Sequence, residues 1–289
     1  MDENSYKYFT SELSEVKKIV YNISMQTFTW NVISSQSSTI PFFQKGSALT
    51  IGSFDGPHIG HTVLFDKVLE TAKKHGLAAG VVTFVKPLPG IKYAGNYLGD
   101  ISTLRLRLAE YEKRGFDFAI VIDFTKEFSR IEGTEFLGVL ANVCKMKYIV
   151  EGQDFNCGKD GLCVKERILT YAQEKRFVAE FIPSVMYNDH RVSSSLIRMN
   201  VESGDFKTVS QMLGRSYYID LQDVEFVNNP NNSLSYRKNL ISQVVPTKGK
   251  YAVTINDQEI KSSLEVNAES IILEIPEGFN GEVQSIAFC

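Results

Sequence analysis

Two of the four histidines in the chain lie three residues apart, where a predicted strand meets a predicted helix. They are His58 and His61, in the stretch "TIGSFDGPHIGH" that covers residues 50–61. A helix that begins near them would offer free N–H groups to a phosphate. Two imidazoles on one face of its first turn can both donate hydrogen bonds to charge that develops at phosphorus. A single histidine there would more often be a surface cap, but this pair predicts phosphate chemistry.

Three glycines surround these histidines. Gly52 and Gly56 let the chain turn tightly after the strand, and Gly60 removes a side chain where a flat base would approach the backbone. In a parallel sheet, ligands bind outside the carboxyl ends of the strands. The stretch would lie at such an end, so we expect a nucleotide there.

A second candidate site lies far along the chain, in "HRVSSSLIR" at residues 190–198. Its serines would supply hydroxyl and N–H donors at a helix start, and Arg198 falls one turn inside that helix. Together they would hold the β and γ phosphates of a nucleotide. Three serines before a helix are usually only caps, so this interpretation depends on the first motif.

Strands and helices alternate between about residues 48 and 183, which predicts βαβ units and a parallel sheet with helices on both faces. Continuous apolar runs such as "AIVI" indicate strands that are buried on both sides. The predicted strands are "ALTIGS", "LAAGVVTFV", "FDFAIVIDF", "KYIVEG" and "RFVAEFIP". The predicted helices are 62–75, 102–114, 133–145, 163–175, "SSSLIRMNVESG" and "DFKTVSQMLG".

The pattern changes after Gly214. Residues 217–289 contain alternating runs such as "KYAVTIN" and "SLEVNAESIILEIP", and no convincing helix. They predict a small antiparallel β-barrel-like domain after the Rossmann-like α/β domain. The expected division is an N-terminal extension over 1–24, the α/β domain over 25–215 and the β domain over 216–289.

Composition narrows the class of protein. The chain has 289 residues and a formal net charge of −3, which argues against non-specific binding to nucleic acid. Its four cysteines show no zinc-ligand spacing and fit reduced thiols in a cytoplasmic protein. No run of about 18 apolar residues predicts a membrane span, and the acidic start does not resemble a signal peptide.

The first motif resembles the signature of the HxGH nucleotidyltransferase superfamily, whose members transfer a nucleotidyl group and release pyrophosphate. The second resembles the superfamily motif I-S-S-T-x-I-R, with Val192 in place of Ile and Ser195 in place of Thr. Two further stretches, "YIVEGQDFNCGKDG" and "GDFKTVSQMLGRSYYI", are similar to segments of the bacterial FAD synthetases, which are bifunctional riboflavin kinase and FMN adenylyltransferase enzymes. The four motifs occur in the family's order, and the resemblance covers about residues 30–220.

The resemblance implies adenylyl transfer from ATP to FMN, giving FAD and pyrophosphate, with Mg²⁺ carried mainly by the phosphates. It implies catalytic roles for His58 and His61 at the α-phosphate and for Arg198 at the leaving pyrophosphate. The implied nucleotide-binding residues are Gly52, Ser53, Phe54, Asp55, Gly60, Arg191, Ser194 and Ser195. The implied flavin-binding residues are Asp154, Phe155, Asn156 and Gly158. Structural roles remain equally open for Asp55 and Asp154 as turn formers and for Phe155 as a core residue. We expect small-molecule partners, no nucleic acid, no membrane, and a monomer or weak oligomer.

Two departures from the family pattern matter for function. "TFVKPLPG" has Leu88 where the family's "TFxPHP" has a histidine. The family's "GRxLGFPTAN" stretch, whose Thr and Asn serve phosphates and Mg²⁺ in the kinase, has no counterpart, and Glu265 is the nearest candidate for the expected acidic base. The β domain is therefore predicted to be a degenerate kinase domain without riboflavin kinase activity.

Three alternatives stay open on the sequence. The first is a fully bifunctional synthetase with an unusual kinase domain. The second is a catalytically weak flavin- or nucleotide-binding regulatory protein, suggested by Leu88. The third is a nucleotidyltransferase specific for pantetheine or nicotinamide substrates, which the "GQDFNCG" loop and the β domain disfavour.

Overall fold

A computed structural model describes residues 25–37, 39–87, 97–256 and 260–289, and its first part is a six-stranded parallel sheet. The strands are β1 Gln26–Thr29, β2 Ser47–Ile51, β3 Ala78–Phe84, β4 Phe118–Ile122, β5 Met146–Gly152 and β6 Val178–Ile182. Their spatial order is β1-β4-β3-β2-β5-β6. The chain moves outward from β2 in one direction through β3 and β4, then crosses to the other side for β5. The carboxyl ends of β2 and β5 therefore flank the point where the strand order reverses, which is where such sheets bind ligands.

Helices cover both faces of this sheet. They are α1 Trp30–Ser34, α2 Ile59–His75, α3 Leu104–Arg114, α4 Gly133–Val143, α5 Lys165–Lys175, α6 Ser194–Ser203 and α7 Phe206–Leu213. One core packs α2 and α3 against strand residues such as Ala48 and Val81. A second core packs α1, α4 and α5 against their sequence neighbours Leu49 and Val82, which point to the opposite face. The predicted parallel sheet with helices on both faces is confirmed.

Some elements differ from the prediction. Helix α2 begins at Ile59 rather than 62, because His58 caps its N-terminus. Helix α5 begins at Lys165 rather than 163, because Cys163 forms an isolated antiparallel bridge with Cys157. The edge strand β1 and helix α1 were not predicted. They are four and five residues long, and the exposed or half-buried side chains of β1 show no clear alternation of apolar and polar residues. A short hairpin of β7 Met186–Tyr187 and β8 His190–Arg191 was also not predicted.

The C-terminal part is a seven-stranded antiparallel sheet, as predicted. Its strands are β9 Tyr218–Asp220, β10 Phe226–Asn229, β11 Ser233–Arg237, β12 Gly249–Ile255, β13 Ile260–Val266, β14 Ser270–Glu274 and β15 Ser285–Phe288, in the order β10-β11-β14-β13-β12-β15-β9. In the described part of this sheet, the only helical turn is a 3-10 turn at Lys238–Leu240. No helix of the described residues is long and apolar enough to cross a membrane.

The two sheets are joined through the segment over residues 97–102, in which Ile101 and Ser102 are buried. Helices α6 and α7 share one apolar core with the antiparallel sheet, and Ile101 of the joining segment belongs to that core. Asp100 pairs through its backbone with the stretch 242–244 of the C-terminal part. The buried Gln243 side chain donates to the carbonyls of Ile101 (2.9 Å) and Tyr218 (2.7 Å) and accepts from the Asp220 N–H (2.7 Å).

Replacing Gln243 with leucine is expected to destabilise the protein by about 3 kcal/mol, because it would leave three backbone groups without partners and buried groups of this kind cost about 1–3 kcal/mol each. Denaturation in urea would measure the loss. Gln284 is exposed just before β15, so Gln284→Leu is the matched control and is expected to change stability by less than about 0.5 kcal/mol. A Gln243→Leu variant as stable as this control would show that the segment is held by other contacts.

Candidate active site

The predicted site segments meet at the carboxyl ends of β2 and β5. The turn that follows β2 carries the histidines, and its Asp55 carbonyl accepts a hydrogen bond from Ser194 Oγ at 2.9 Å, at the start of α6. The loop after β5 carries Asp154, whose carboxylate forms an ion pair of 2.7 Å with Arg191. The structure therefore brings together residues that the sequence assigned separately to nucleotide and to flavin. Ser195, one residue further along α6, is exposed beside them.

The two histidines form the N-terminal cap of α2. His58 is the N-cap residue, with extended backbone (φ −117°, ψ 174°), and His61 is the third residue of the helix. Their rings stack, with centroids 3.6 Å apart and an interplanar angle of 15°. The prediction that both imidazoles project from the first helical turn is therefore wrong for His58, because its side chain takes the capping position. The two rings still face the same space.

Reciprocal hydrogen bonds select one tautomer for each ring. His58 Nδ1 accepts from the His61 N–H at 3.3 Å, and His61 Nδ1 accepts from the His58 N–H at 3.5 Å. A neutral imidazole whose Nδ1 accepts must carry its proton on Nε2. Both rings therefore present an Nε2–H donor, and neither needs to be charged to bind a phosphate oxygen.

Burial and nearby cations keep both rings neutral. Burial, followed by the charges of Arg215 and Arg191, lowers the pKa of His58 to about 4. Burial, His58 and the same two arginines lower the pKa of His61 well below its usual value. At neutral pH the pair therefore acts as a set of hydrogen-bond donors and not as an acid or a base.

The depressed pKa of His58 predicts a loss of stability in acid. The unfolded histidine takes up a proton near pH 6.5 while the folded one resists until about pH 4, so its contribution is complete above pH 6.5 and is lost as pH falls through this window. We expect stability to fall by about 3 kcal/mol more between pH 6.5 and 4 in the natural protein than in His58→Asn. Urea denaturation at each pH would measure this difference, and equal slopes for the two proteins would contradict it.

Asp55 and Arg198 form a buried ion pair beneath the histidine turn. The carboxylate of Asp55 is 2% exposed and accepts from the N–H groups of Ile101 (2.9 Å) and Ser102 (3.1 Å). The Arg198 guanidinium, 5% exposed, donates to Asp55, to the Gly99 carbonyl and to Tyr97 Oη. Burial raises the pKa of Asp55 to about 6 although Arg198 opposes this, so the carboxylate is ionised at neutral pH.

These contacts change what Arg198 can do. Its three acceptors lie within the protein, so in this conformation it fixes the position of the Asp55 turn and does not face open space. The predicted contact of Arg198 with leaving pyrophosphate would require that some of these bonds be released. Asp55, likewise, holds the backbone of the joining segment and is not open to a ligand.

Other residues of the first motif support the histidines from behind. Phe54 is 4% exposed and meets His61 edge to face at 5.0 Å, so its ring is part of the core and only its main chain would meet a nucleotide. The Ser53 carbonyl accepts from Arg107 Nη1 at 3.0 Å. A Cβ at Gly52 would lie 2.9 Å from the Phe54 ring, and one at Gly60 would lie 3.1 Å from the His58 ring. Packing against the buried Phe54 ring therefore favours glycine at position 52, and a side chain at position 60 would have to displace the His58 ring slightly.

The predicted flavin loop, residues 154–158, is anchored at both ends. Phe155 packs against the core beneath α4, and its N–H donates to the Gly152 carbonyl at 3.0 Å. Asn156 is exposed, and its side chain donates to the Asp154 carbonyl at 3.3 Å. Gly158 has φ of +75°, and a Cβ there would lie 2.1 Å from the Gly133 nitrogen. Asp154 and Asn156 are the residues of this loop whose polar side chains are open to a ligand.

Two arginines near the site were not selected from the sequence. Arg107 is fully buried and donates to Ser53, Thr83 and Val85 from α3. It shares the apolar face of α3, where an arginine is unusual, and that position could have revealed it. Arg215 lies just after α7, inside a stretch quoted only for its resemblance, and no spacing singled it out.

A family model of FAD synthetase matches residues 41–196, which is just over half of the chain. A bifunctional riboflavin kinase/FMN adenylyltransferase of Buchnera aphidicola is 28% identical over 248 residues, covering 80% of this chain and 78% of that protein. The protein of the same name in Escherichia coli is 25% identical over 224 residues, covering 73% and 69%. An FAD synthetase of Listeria monocytogenes is 26% identical over 179 residues, covering 61% and 71%.

A solved structure described as a macrolide-efflux protein from Streptococcus pneumoniae shares the fold. Its TM-score is 0.69 at 21% identity, and the match covers 91% of this chain and 97% of that one. This likeness supports the order of the two sheets and carries nothing about activity. Membership of a family is shown instead by the match to the family model and by the relatives that agree with it. The chain therefore belongs to the FAD synthetase family, whose activity is that of an FMN adenylyltransferase, a nucleotidyltransferase.

Proposed function

We propose that this chain transfers the adenylyl group of ATP to FMN, giving FAD and pyrophosphate, and that it lacks riboflavin kinase activity. The observation that carries the first part is the stacked pair of His58 and His61, whose Nε2–H donors share one face at the N-terminus of α2. Neutral donors beside a helix N-terminus suit a phosphate that gains charge during transfer.

The step needs no general base. An oxygen of the FMN phosphate, already anionic at neutral pH, attacks the α-phosphorus of ATP and forms the new P–O bond. The bond between that phosphorus and the bridging oxygen to the β-phosphate breaks, and its electron pair leaves with pyrophosphate. Catalysis is then a matter of position and charge, which His58 and His61 supply by donating to the oxygens of the α-phosphoryl group.

The start of α6 would hold the departing phosphates. Ser195 is exposed there, and this ten-residue helix starts beside the histidine turn, since Ser194 Oγ donates to the Asp55 carbonyl. The free N–H groups of its first turn would bind phosphate oxygens. Mg²⁺ bound with ATP would neutralise part of the phosphate charge. Among the described residues, no group of three or more His, Cys, Asp or Glu is placed to bind a metal ion, so the phosphate oxygens would supply most of its ligands.

Asp154 and Asn156 would face the flavin, on the loop after β5. Both side chains are exposed, and the ion pair of Asp154 with Arg191 would link the proposed flavin loop to the proposed nucleotide site. Leu88, the other residue expected on this side, lies outside the described residues.

The proposed loss of kinase activity rests on the C-terminal sequence. In this proposal, residues 25–215 form the adenylyltransferase and 216–289 a degenerate kinase-like domain. The stretch expected to bind phosphate is absent, and Glu265, the candidate base, lies 3.6 Å from Lys250 on the neighbouring strand. A bifunctional enzyme is the second candidate, favoured by the names of relatives that align with most of the chain.

All four cysteines are free thiols, which supports the proposed cytoplasmic location.

One assay separates these candidates. The purified protein would be incubated with ATP and Mg²⁺ and with either riboflavin or FMN, and the flavins separated by chromatography. FAD from FMN, with riboflavin unchanged, is the expected result. FMN and FAD from riboflavin would establish the bifunctional enzyme. Flavin binding without any product would overturn the proposed activity and favour a regulatory binding protein.

A further inference from the structure

Arg215 links the end of α7 to the start of α2. Its Nη1 donates to the carbonyl of Pro57, the residue before the N-cap His58, and to the carbonyl of Leu213 at 3.2 Å, the last residue of α7. Gly214 between them ends α7 in the left-handed conformation (φ +71°), and a Cβ there would lie 3.7 Å from Ile59. The Arg215 side chain therefore ties the end of α7 to the turn that leads into the histidine pair.

The charge of Arg215 is not neutralised by a direct partner. Among the ion pairs of the described residues, Arg191 is paired with Asp154 and Arg198 with Asp55, but Arg215 has no carboxylate within contact distance. Glu110 attracts it from further away, yet that carboxylate is bound to Arg114. Arg215 is half-buried, and an unpaired cation that is partly removed from water is costly unless an anion joins it.

The neighbours of this cation indicate which anion would join it. Of the charged groups that act on His58, Arg215 has the largest effect on its pKa, ahead of Arg191, and it also acts on His61. Its hydrogen bond to the Pro57 carbonyl places it beside the N-cap His58, at the helix N-terminus where the α-phosphate is proposed to bind. The two carbonyls use only Nη1, and the described residues supply no hydrogen-bond acceptor for Nε or Nη2.

We propose that Arg215 is the cation that receives the triphosphate of ATP beside the histidines, and that the same guanidinium positions His58 by holding the Pro57 carbonyl. This inference rests on the proposed function, since it assigns a residue to that same phosphate site. It transfers the role of phosphate-binding arginine from Arg198, whose donors are occupied by Asp55, Gly99 and Tyr97, to an arginine whose donors are partly free.

Three variants of the full chain test the proposal. Arg215→Met removes the charge, Arg215→Lys keeps it, and Lys207→Met removes one positive charge from the exposed face of the adjoining helix as a matched control. Affinity for ATP with Mg²⁺ would be measured by calorimetry without FMN, so that no adenylyl transfer is required. The titration of His58 would be followed by NMR in the ligand-free protein, and thermal melting would confirm that each variant is folded.

Arg215→Met is expected to weaken ATP binding by about 10- to 100-fold, the range for a lost charge-assisted hydrogen bond. It is also expected to move the His58 titration to higher pH, while Arg215→Lys and Lys207→Met stay close to the natural protein on both measurements. A folded Arg215→Met variant with natural ATP affinity would overturn the proposal. A second pattern would also overturn it: both Arg215→Met and Arg215→Lys lose ATP affinity, and the His58 titration is the same as in the natural protein. That pattern would indicate that Arg215 only links the two helices. Neither measurement depends on FMN being the acceptor, so failure of the proposed reaction would be seen separately.

Discussion

His58→Asn is expected to lower kcat for adenylyl transfer by about 10²- to 10³-fold with little change in folding at neutral pH. Asparagine is a good N-cap residue, so its side-chain oxygen replaces Nδ1 as acceptor for the His61 N–H and keeps the start of α2. It cannot replace Nε2–H at the same reach. The loss is the usual cost of one donor that stabilises charge in a transition state.

Steady-state kinetics with FMN and ATP would measure this effect, and His75→Asn is the matched control. His75 is exposed on the last turn of the same helix, so the same substitution there should leave kcat unchanged. The double variant His58→Asn/His61→Asn is expected to be only slightly slower than either single variant, because the two donors act on one phosphate as a unit. A His58→Asn enzyme that keeps a third of its kcat would refute the assigned role.

Arg198→Met is expected to destabilise the protein by about 3–5 kcal/mol, the range for stranding one partner of a buried ion pair. Asp55 would stay buried with only backbone donors, and its pKa would rise further because the cation that opposes the effect of burial would be gone. The double variant Asp55→Asn/Arg198→Met should recover about 1–3 kcal/mol of this loss, because an amide oxygen still accepts from Ile101 and Ser102 without a charge. Urea denaturation of four proteins, namely the natural one, Asp55→Asn, Arg198→Met and the double variant, completes the cycle.

The same four proteins distinguish two roles of Arg198. If the arginine mainly positions the Asp55 turn, stability and adenylyl transfer should fall together in Arg198→Met and recover together in the double variant. A variant of natural stability whose kcat falls by about 10³-fold would instead support direct contact with pyrophosphate, as the sequence motif implies. We expect the first pattern, since the guanidinium donates to three protein oxygens.

The fold could be predicted because its signals are local. Alternation of β-branched runs with helical periods identified β2 to β6, and the change of pattern after Gly214 identified the antiparallel sheet. Strand β1 was missed because it is four residues long and lies at the edge of the sheet. A strand at an edge need not bury a whole face, so its sequence need not show an apolar pattern.

The site could be predicted only in part. The spacing of His58 and His61 indicated that they act together, but the sequence does not distinguish an N-cap from a first helical turn, and so the stacking of the rings was missed. The pair of Asp55 and Arg198 joins residues 143 positions apart, which no local pattern reports. Arg215 was missed for the same reason, since its partner Pro57 is 158 positions away.

The pairing of the joining segment with the stretch 242–244 has a consequence for how such a chain can evolve. The N–H of Ile101 donates to the Asp55 carboxylate beside the histidine turn, while its carbonyl accepts from the Gln243 side chain of the C-terminal part. A gene shortened after residue 215 would therefore lose the contact that holds the Ile101 carbonyl behind a turn encoded near its beginning. If the proposed adenylyl transfer needs that turn, selection for it would favour keeping the last 74 residues even where they perform no chemistry of their own.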